Sequence, residues 1–246
     1  DVAVGGRSSS GRNLFLVPWR GRALFGTWES AAAVGPEDTG VDLGDVALFI
    51  AELNEAFPSL RLRREDVTLV HRGVVPAKVT GQRIALEGHE RVRDHADDGV
   101  QGLVSVVGAK YTTARATAER VTDLILTKLG RPFTPSQTAT KALLGGDVDL
   151  ALARARADQL WKGAPDSDTP AHLVASYGSR FGSILALCED NPALREPIAA
   201  DSPVIAGELV WAARYEQVVT LADAVMRRTP LGALGYPGDE ATARAA

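Results

Sequence analysis

Short runs of alternating apolar and polar residues fill the first half of the chain, and such alternation is typical of β-strands. Six runs show it or are rich in β-branched residues: 13–19, 22–28, 66–75, 83–86, 91–95 and 103–107. Arg20-Gly21 separates the first two runs and predicts a β-hairpin, because short turns containing glycine join antiparallel strands. One helix is predicted among these strands, between Asp42 and Pro58, where apolar residues recur at helical spacing.

The pattern changes after a helix predicted to begin near Thr112 or Thr113 and to end at Gly130. Residues 131–137 contain two prolines, and helical spacing replaces the strand pattern beyond them. Five helical segments are predicted there: 147–161, Thr169 to Gly178, 180–188, 206–215 and one from Thr220 onward. The sequence therefore predicts an α+β fold, with a mixed or antiparallel β-sheet followed by a small all-α C-terminal domain.

The same pattern predicts where the chain divides. The Gly/Ser-rich start and the C-terminal tail are expected to be flexible. The predicted divisions are a flexible start at 1–12, a sheet-containing part at 13–130, a linker at 131–138, a helical domain at 139–234 and a flexible tail at 235–246.

Composition narrows the class of protein. A chain of 246 residues with 45% apolar and 24% charged residues is ordinary for a globular protein. A net charge of -4 with dispersed Lys and Arg gives no sign of a nucleic-acid surface or a polybasic membrane patch. The single Cys188 excludes an internal disulfide and favours an intracellular setting, and four scattered histidines predict no metal site.

A strand-to-helix turn at Gly108-Ala109-Lys110-Tyr111-Thr112-Thr113 is the strongest chemical feature. Backbone N–H groups at the start of a helix attract anions, and Lys110 adds a full positive charge. A phosphate or the anionic edge of a reduced flavin would suit such a turn. An ordinary strand-to-helix turn with a capping threonine is the competing interpretation.

Two other segments carry candidate site residues. Arg91 and Arg93 share one face of a predicted strand, so their guanidiniums suit a phosphate, although a solvated charged strand has the same pattern. His71 lies in a predicted strand near Gly73 and Pro76, and it either lines a cleft or has a structural role.

Charged residues of the helical half are interpreted as surface charges and helix caps. This set comprises Glu208, Glu216, Asp223, Arg227 and Arg228.

Several segments together resemble the FAD-dependent glycerol-3-phosphate dehydrogenase family, in the wider D-amino-acid-oxidase-like group of flavoproteins. The motifs that carry the resemblance agree in order and spacing across residues 13–232. They are LVPW at 16–19 with FGTWE at 25–29, RDH at 93–95, GAKYTTAR at 108–115, and the GE to RRTPLG segment at 207–232.

The resemblance implies a function that the residues alone do not show. It implies hydride transfer from C2 of glycerol 3-phosphate to FAD, giving dihydroxyacetone phosphate, with electrons passed on to a quinone. The implied catalytic residues are Lys110, Arg93 and His71. The implied flavin-binding residues are Gly108, Ala109, Lys110, Tyr111 and Thr112, and the implied substrate ligands are Arg93, Arg91 and Lys110. A cytoplasmic protein is expected. Peripheral association with the inner face of the cell membrane and formation of a homodimer are both left open.

Two departures from the family pattern qualify this prediction. Val75 stands where the family places an arginine before the proline, which leaves the substrate open. The Gly-rich dinucleotide fingerprint of the family is absent from this sequence, so we expect a missing N-terminal region to bind most of the FAD and this chain alone to be inactive. A related flavin oxidoreductase with another hydroxy or phosphorylated substrate, and a non-catalytic helical interaction module, are the alternatives.

Overall fold

The computed structural model describes residues 2–30, 32–38, 40–81, 83–108, 110–165 and 167–246, apart from the side chain of Arg83. The chain forms two compact units, Asp1–Lys141 and Ala142–Ala246. Antiparallel strand pairs and two helices make up the first unit, and helices make up the second. The predicted α+β class is confirmed, whereas the domain divisions given above remain predictions.

A three-stranded antiparallel sheet opens the first unit. Its strands are β1 (Val4–Arg7), β2 (Asn13–Trp19) and β3 (Arg22–Gly26), with β2 in the centre. The predicted hairpin is confirmed: Trp19 lies opposite Arg22, and Arg20 and Gly21 make the turn with φ of 48° and 74°. Positive φ at both turn residues matches the twist of the strands, and glycine takes it without steric cost.

The start of the chain pairs with β2 and is held by the first helix. Helix α1 (Leu43–Ala56) begins at Asp42, whose carboxylate accepts from the N–H groups of Gly44 and Asp45 at 2.6 and 3.0 Å. Glu52 on α1 accepts hydrogen bonds from Ser8, Ser10, Arg12 and Trp28. One half-buried carboxylate therefore ties Ser8, Ser10 and Arg12 to α1.

The strand predicted at residues 66–75 is wrong. The described backbone from 67 to 76 is irregular and pairs with no strand, and a 3₁₀ turn at Arg64–Asp66 precedes it. Two hairpin pairs follow: β4 (Ala77–Thr80) with β5 (Arg83–Leu86), and β6 (Arg91–Asp94) with β7 (Val104–Val107).

Helix α2 (Ala114–Lys128) follows β7 through a 3₁₀ turn at Tyr111–Thr113 and ends near Gly130, which has φ of 62°. The second unit contains α3 (Leu150–Leu160), α4 (Thr169–Tyr177), α5 (Phe181–Asp190), α6 (Ala206–Tyr215), α7 (Leu221–Asp223) with a π-helical continuation at Ala224–Arg228, and α8 (Asp239–Ala245). The five predicted helical segments are confirmed.

The core of the second unit lies between α3, α4, α5 and α6. Its buried apolar residues include Ala157, Leu173, Ile184, Cys188 and Trp211. The buried environment of Cys188 agrees with a core thiol, and desolvation raises the pKa of this thiol. Near the C-terminus, Ala241 of α8 packs against Ile198 and Val204.

Candidate functional site

The β6–β7 pair and helix α2 frame the strand-to-helix turn. Val92 pairs with Val106 and Arg93 with Ser105, so successive residues of each strand point to opposite faces of the pair. Lys128 near the end of α2 donates to both carboxylate oxygens of Asp94 at 2.8 and 2.6 Å. These hydrogen bonds lower the pKa of Asp94 and tie the helix to the strand pair.

A groove of about 480 Å³ lies between β7 and α2. We call it the turn groove. It is lined by Glu90, Val106, Gly108, Lys110, Thr113, Ala114, Thr117, Ala118, Val121 and Thr122. Small and apolar residues of α2 form one wall, and the turn after β7 supplies its charged end. The sequence placed this turn correctly, but it did not show that a groove would open beside it.

Lys110 lies where strand β7 gives way to α2. Its side chain is exposed, and it forms no ion pair or side-chain hydrogen bond with the residues that the structure describes. The Lys110 carbonyl accepts from the Thr113 hydroxyl at 3.2 Å, which closes the 3₁₀ turn. Tyr111 is 98% exposed, and Thr112 is exposed as well. Ala109, a predicted flavin-binding residue, lies outside the described residues.

Gly108 is at a point of close approach. A side chain there would place its Cβ 3.1 Å from Cβ of Glu90, which is tighter than almost all such contacts in proteins. Glu90 is held at this position by an ion pair with Arg120 of α2. Glycine at 108 therefore lets the turn pass close to Glu90, just before β6.

Arg93 is held by a carboxylate. Its Nε and Nη2 donate to Oδ2 and Oδ1 of Asp98 at 3.0 and 2.6 Å. These hydrogen bonds lower the pKa of Asp98 and raise the pKa of Arg93. His95 joins the same group: its Nδ1 lies 2.9 Å from Oδ2 of Asp98, and its Nε2 lies 2.8 Å from Oγ of Ser105.

The structure does not bring all the predicted site residues together. Val106 lines the turn groove, whereas Arg93 and its partner Ser105 lie on the opposite face of the strand pair. Arg91 shares the face of Arg93, and its Nη2 lies 3.5 Å from Oε2 of Glu87. The two arginines thus lie on the face of the strand pair opposite to the turn groove that Lys110 lines.

The segment containing His71 has no observed tie to the turn groove. His71 is exposed and makes no polar side-chain contact within the described part of the chain. Arg72, which follows it, forms an ion pair with Asp38 at 3.4 Å. Val75 is 44% exposed. The catalytic role predicted for His71 remains a prediction without geometric support.

The helical unit contains a polar network that the sequence analysis misassigned. Glu208 was interpreted as a surface or capping charge, but its side chain is fully buried. It accepts from Ile205 N at 2.9 Å and from Tyr177 Oη at 3.0 Å, and its Oε2 lies 2.8 Å from Nε2 of His172. Burial and the charge of Glu208 raise the pKa of Tyr177, so its hydroxyl stays protonated and donates. The capping assignment was right, and the surface assignment was wrong.

A cleft of about 450 Å³ opens beside this network. Its lining consists of polar and aromatic residues from three elements of the helical unit: Ser176, Tyr177, Tyr215, Glu216, Gln217, Arg227 and Arg228. No motif in the sequence predicts this cleft. The available signal is that Tyr215 and Glu216 lie close in sequence to the adjacent Arg227 and Arg228.

Comparison with known proteins now adds to the geometry. Residues 136–246 match a protein-family model described as the C-terminal domain of alpha-glycerophosphate oxidase. A glycerol-3-phosphate dehydrogenase of Synechocystis is 32% identical over 222 residues, which are 89% of this chain and 40% of the relative. A mitochondrial glycerol-3-phosphate dehydrogenase of Arabidopsis thaliana is 26% identical over 239 residues, which are 90% of this chain and 37% of the relative.

The resemblance to the glycerol-3-phosphate dehydrogenase family is confirmed. The fold agrees as well. The crystal structure of the glycerol-3-phosphate dehydrogenase from Bacillus halodurans complexed with FAD matches 99% of this chain and 51% of that protein, with a TM-score of 0.73 and 23% identity. This chain thus spans about two fifths of the length of the curated relatives of the family. Within the described residues, every helix is too short or too polar to cross a membrane.

Proposed function

We propose that this chain contributes the substrate-facing turn and the C-terminal helical domain of an FAD-dependent glycerol-3-phosphate dehydrogenase. The observation that carries the proposal is the position of Lys110. It is an exposed ammonium with no ion-pair partner among the described residues, at the charged end of the turn groove and beside the start of a long helix. The curated relatives are glycerol-3-phosphate dehydrogenases, which makes a flavin and a phosphorylated polyol the ligands to consider.

The residues of the turn groove fit one edge of a flavin ring. Val106, Ala114, Ala118 and Val121 offer an apolar wall, and Lys110 offers a cation at its end. The sequence lacks the glycine fingerprint that holds the ADP half of a dinucleotide, so the fit covers the ring and not the whole cofactor. Gly108, Ala109, Lys110, Tyr111 and Thr112 are proposed to contact it.

Bound FAD would supply the capacity to accept two electrons from C2 of glycerol 3-phosphate. The residues of this chain would act on charge. The Lys110 ammonium and the N–H groups at the start of α2 would stabilise negative charge that develops beside them. Gly108 permits this by letting the backbone approach closely.

Arg93 and Arg91 are proposed to serve the substrate phosphate. Both side chains are 66% exposed, so both guanidiniums are within reach of a ligand. Neither points into the turn groove, so a substrate that contacts them and Lys110 would lie across the end of the strand pair. Val75 cannot supply the further arginine that the family pattern contains, and His71 is retained as a proposed catalytic residue on the resemblance alone.

A related flavin oxidase or oxidoreductase is the second candidate. The matching family model is described as the C-terminal domain of alpha-glycerophosphate oxidase. Val75, which replaces the arginine of the family pattern, is compatible with a substrate other than glycerol 3-phosphate. A quinone acceptor, cytoplasmic location, peripheral membrane association and a homodimer belong to the first candidate as proposals. The interaction-module alternative predicts no redox activity in any context.

One experiment tests the proposal directly. The product of the complete reading frame that contains this chain is purified, and dye reduction is measured with a panel of phosphorylated and unphosphorylated polyols. We expect glycerol 3-phosphate to give the highest kcat/KM. Reduction by another polyol favours the second candidate, and no reduction by any of them contradicts both.

A further inference from the structure

The carboxylate of Asp98 already binds the guanidinium of Arg93 in a bidentate manner. Asp98 accepts from Nε and Nη2 with one oxygen each, at 3.0 and 2.6 Å. A phosphate presents pairs of oxygens to arginine in the same bidentate manner. Asp98 therefore takes the place at Arg93 that a phosphate group would take.

A second guanidinium lies on the same side of the strand. Arg91 and Arg93 are two residues apart in β6, so both point to the face that carries Ser105. We call this surface the arginine face. Arg91 is only loosely paired, since its Nη2 lies 3.5 Å from Oε2 of Glu87 and its side chain is 66% exposed. The arginine face thus offers an oxyanion two guanidinium groups, and Asp98 already occupies that of Arg93.

The carboxylate of Asp98 is accessible to solvent, and it contacts His95 as well as Arg93. Its side chain is 35% exposed, at the end of the 3₁₀ turn His95–Asp98. His95 Nδ1 lies 2.9 Å from the same Oδ2 that accepts from Arg93 Nε. If Asp98 leaves Arg93, the environment of His95 changes too, while Ser105 still holds the other ring nitrogen.

We propose that Asp98 is an internal competitor for phosphate at the arginine face, which an incoming phosphate group displaces from Arg93. That the phosphate belongs to glycerol 3-phosphate rests on the proposed function, whereas the competition itself rests on the Arg93–Asp98 geometry. Asp98 sets how tightly a phosphorylated ligand binds, and it keeps Arg93 oriented along the strand when no ligand is present. Its role is to tune affinity rather than to touch the reacting atoms.

The test uses the 246-residue chain and inorganic phosphate at constant ionic strength. The Nε–H resonance of Arg93 and the ring resonances of His95 are followed by NMR during the titration. We expect saturable shifts in both. Arg93→Lys keeps the charge but not the bidentate geometry, so the shifts of His95 should no longer saturate in that variant. Asp98→Asn should bind phosphate about fivefold more tightly, because the competing carboxylate is then neutral.

Asp97→Asn is the matched control. It removes the same charge one residue away, and Asp97 is exposed and makes no hydrogen bond to Arg93. We expect it to change phosphate affinity by less than about twofold. If both variants gained the same affinity for phosphate, the effect would come from the change in net charge, and the proposal would be overturned. An unchanged affinity in Asp98→Asn would overturn it as well.

This outcome is separable from that of the proposed function. Phosphate binding to the chain involves neither flavin nor electron transfer, so it can succeed when dye reduction fails. In the complete protein, Asp98→Asn should lower KM for glycerol 3-phosphate and leave kcat nearly unchanged. Dye reduction with an unaltered KM would retain the dehydrogenase assignment and reject the competition by Asp98.

Discussion

Nε2 of His172 lies 2.8 Å from Oε2 of Glu208, and the two side chains are 6% and 0% exposed. His172 comes from α4 and Glu208 from the first turn of α6, so the contact joins two helices of the core. Tyr177 donates to the same oxygen from the end of α4. A fully buried carboxylate is tolerated here because three donors surround it.

Glu208→Gln should therefore destabilise the helical unit. The amide places an NH₂ group among groups that donate to the carboxylate, and at least one buried donor loses its acceptor. We expect the free energy of unfolding to fall by about 3 kcal/mol. Urea unfolding followed by circular dichroism measures it. Glu240→Gln, at an exposed position without a described partner, should change stability by less than about 0.5 kcal/mol.

Helices and the hairpin were predictable because their signals are local. Asp42 precedes α1 and caps it, and Arg20-Gly21 suffices to turn β2 into β3. The pairing of the first strand was harder to predict from the sequence. The Gly/Ser-rich start pairs with β2, and Glu52, about 40 residues further along the chain, accepts hydrogen bonds from Ser8 and Ser10 beside it. No pattern within the first 12 residues announces that contact.

The candidate site divides in the same way. The strand-to-helix turn at Lys110 follows from an apolar strand, a glycine and a helix, all adjacent in sequence. The capture of Arg93 by Asp98 depends on the 3₁₀ turn that folds the carboxylate back, and alternation along a strand does not predict it. The burial of Glu208 depends on where α4 lies, so its charge alone suggested the surface.

Gly108→Ala tests the close approach of the turn to β6. The new Cβ would lie 3.1 Å from Cβ of Glu90, whose ion pair with Arg120 resists displacement. We expect a loss of about 1–3 kcal/mol in stability. Gly88→Ala is the control, because a Cβ at Gly88 meets no atom within 4 Å. Equal thermal midpoints for the two variants would show that the turn has room for a side chain.

Acidification should weaken the tie between α2 and the strand pair. Hydrogen bonds from Lys128 lower the pKa of Asp94 in the folded protein. A carboxyl with a depressed folded pKa stabilises the fold above its unfolded value, near 3.9, and the contribution is lost as pH falls through the folded pKa. Lys128→Met should therefore flatten the fall in Tm below about pH 4. Lys141→Met, an exposed control, should leave the profile unchanged.

The chain alone should purify without colour. The turn groove offers a surface for one edge of a flavin ring, but the glycine fingerprint for the ADP half is not in the sequence. Absorbance spectroscopy of the purified 246-residue chain, with and without added FAD, measures this. Yellow absorbance in stoichiometric amount after gel filtration would contradict the expectation, and it would move the cofactor site onto residues described here.

Lys110→Ala should lower turnover in the complete protein while leaving its fold intact. The ammonium is exposed and makes no polar contact with the described residues, so its removal costs little stability. If it stabilises charge that develops during the reaction, kcat with glycerol 3-phosphate should fall on the order of 10²-fold, as for the loss of one such donor. Steady-state dye reduction gives kcat, and thermal unfolding checks the fold. Lys141→Ala removes another exposed ammonium and should retain full turnover. Unchanged kinetics in Lys110→Ala would remove the turn from the reaction, because its charge is the feature that distinguishes it from an ordinary capped helix.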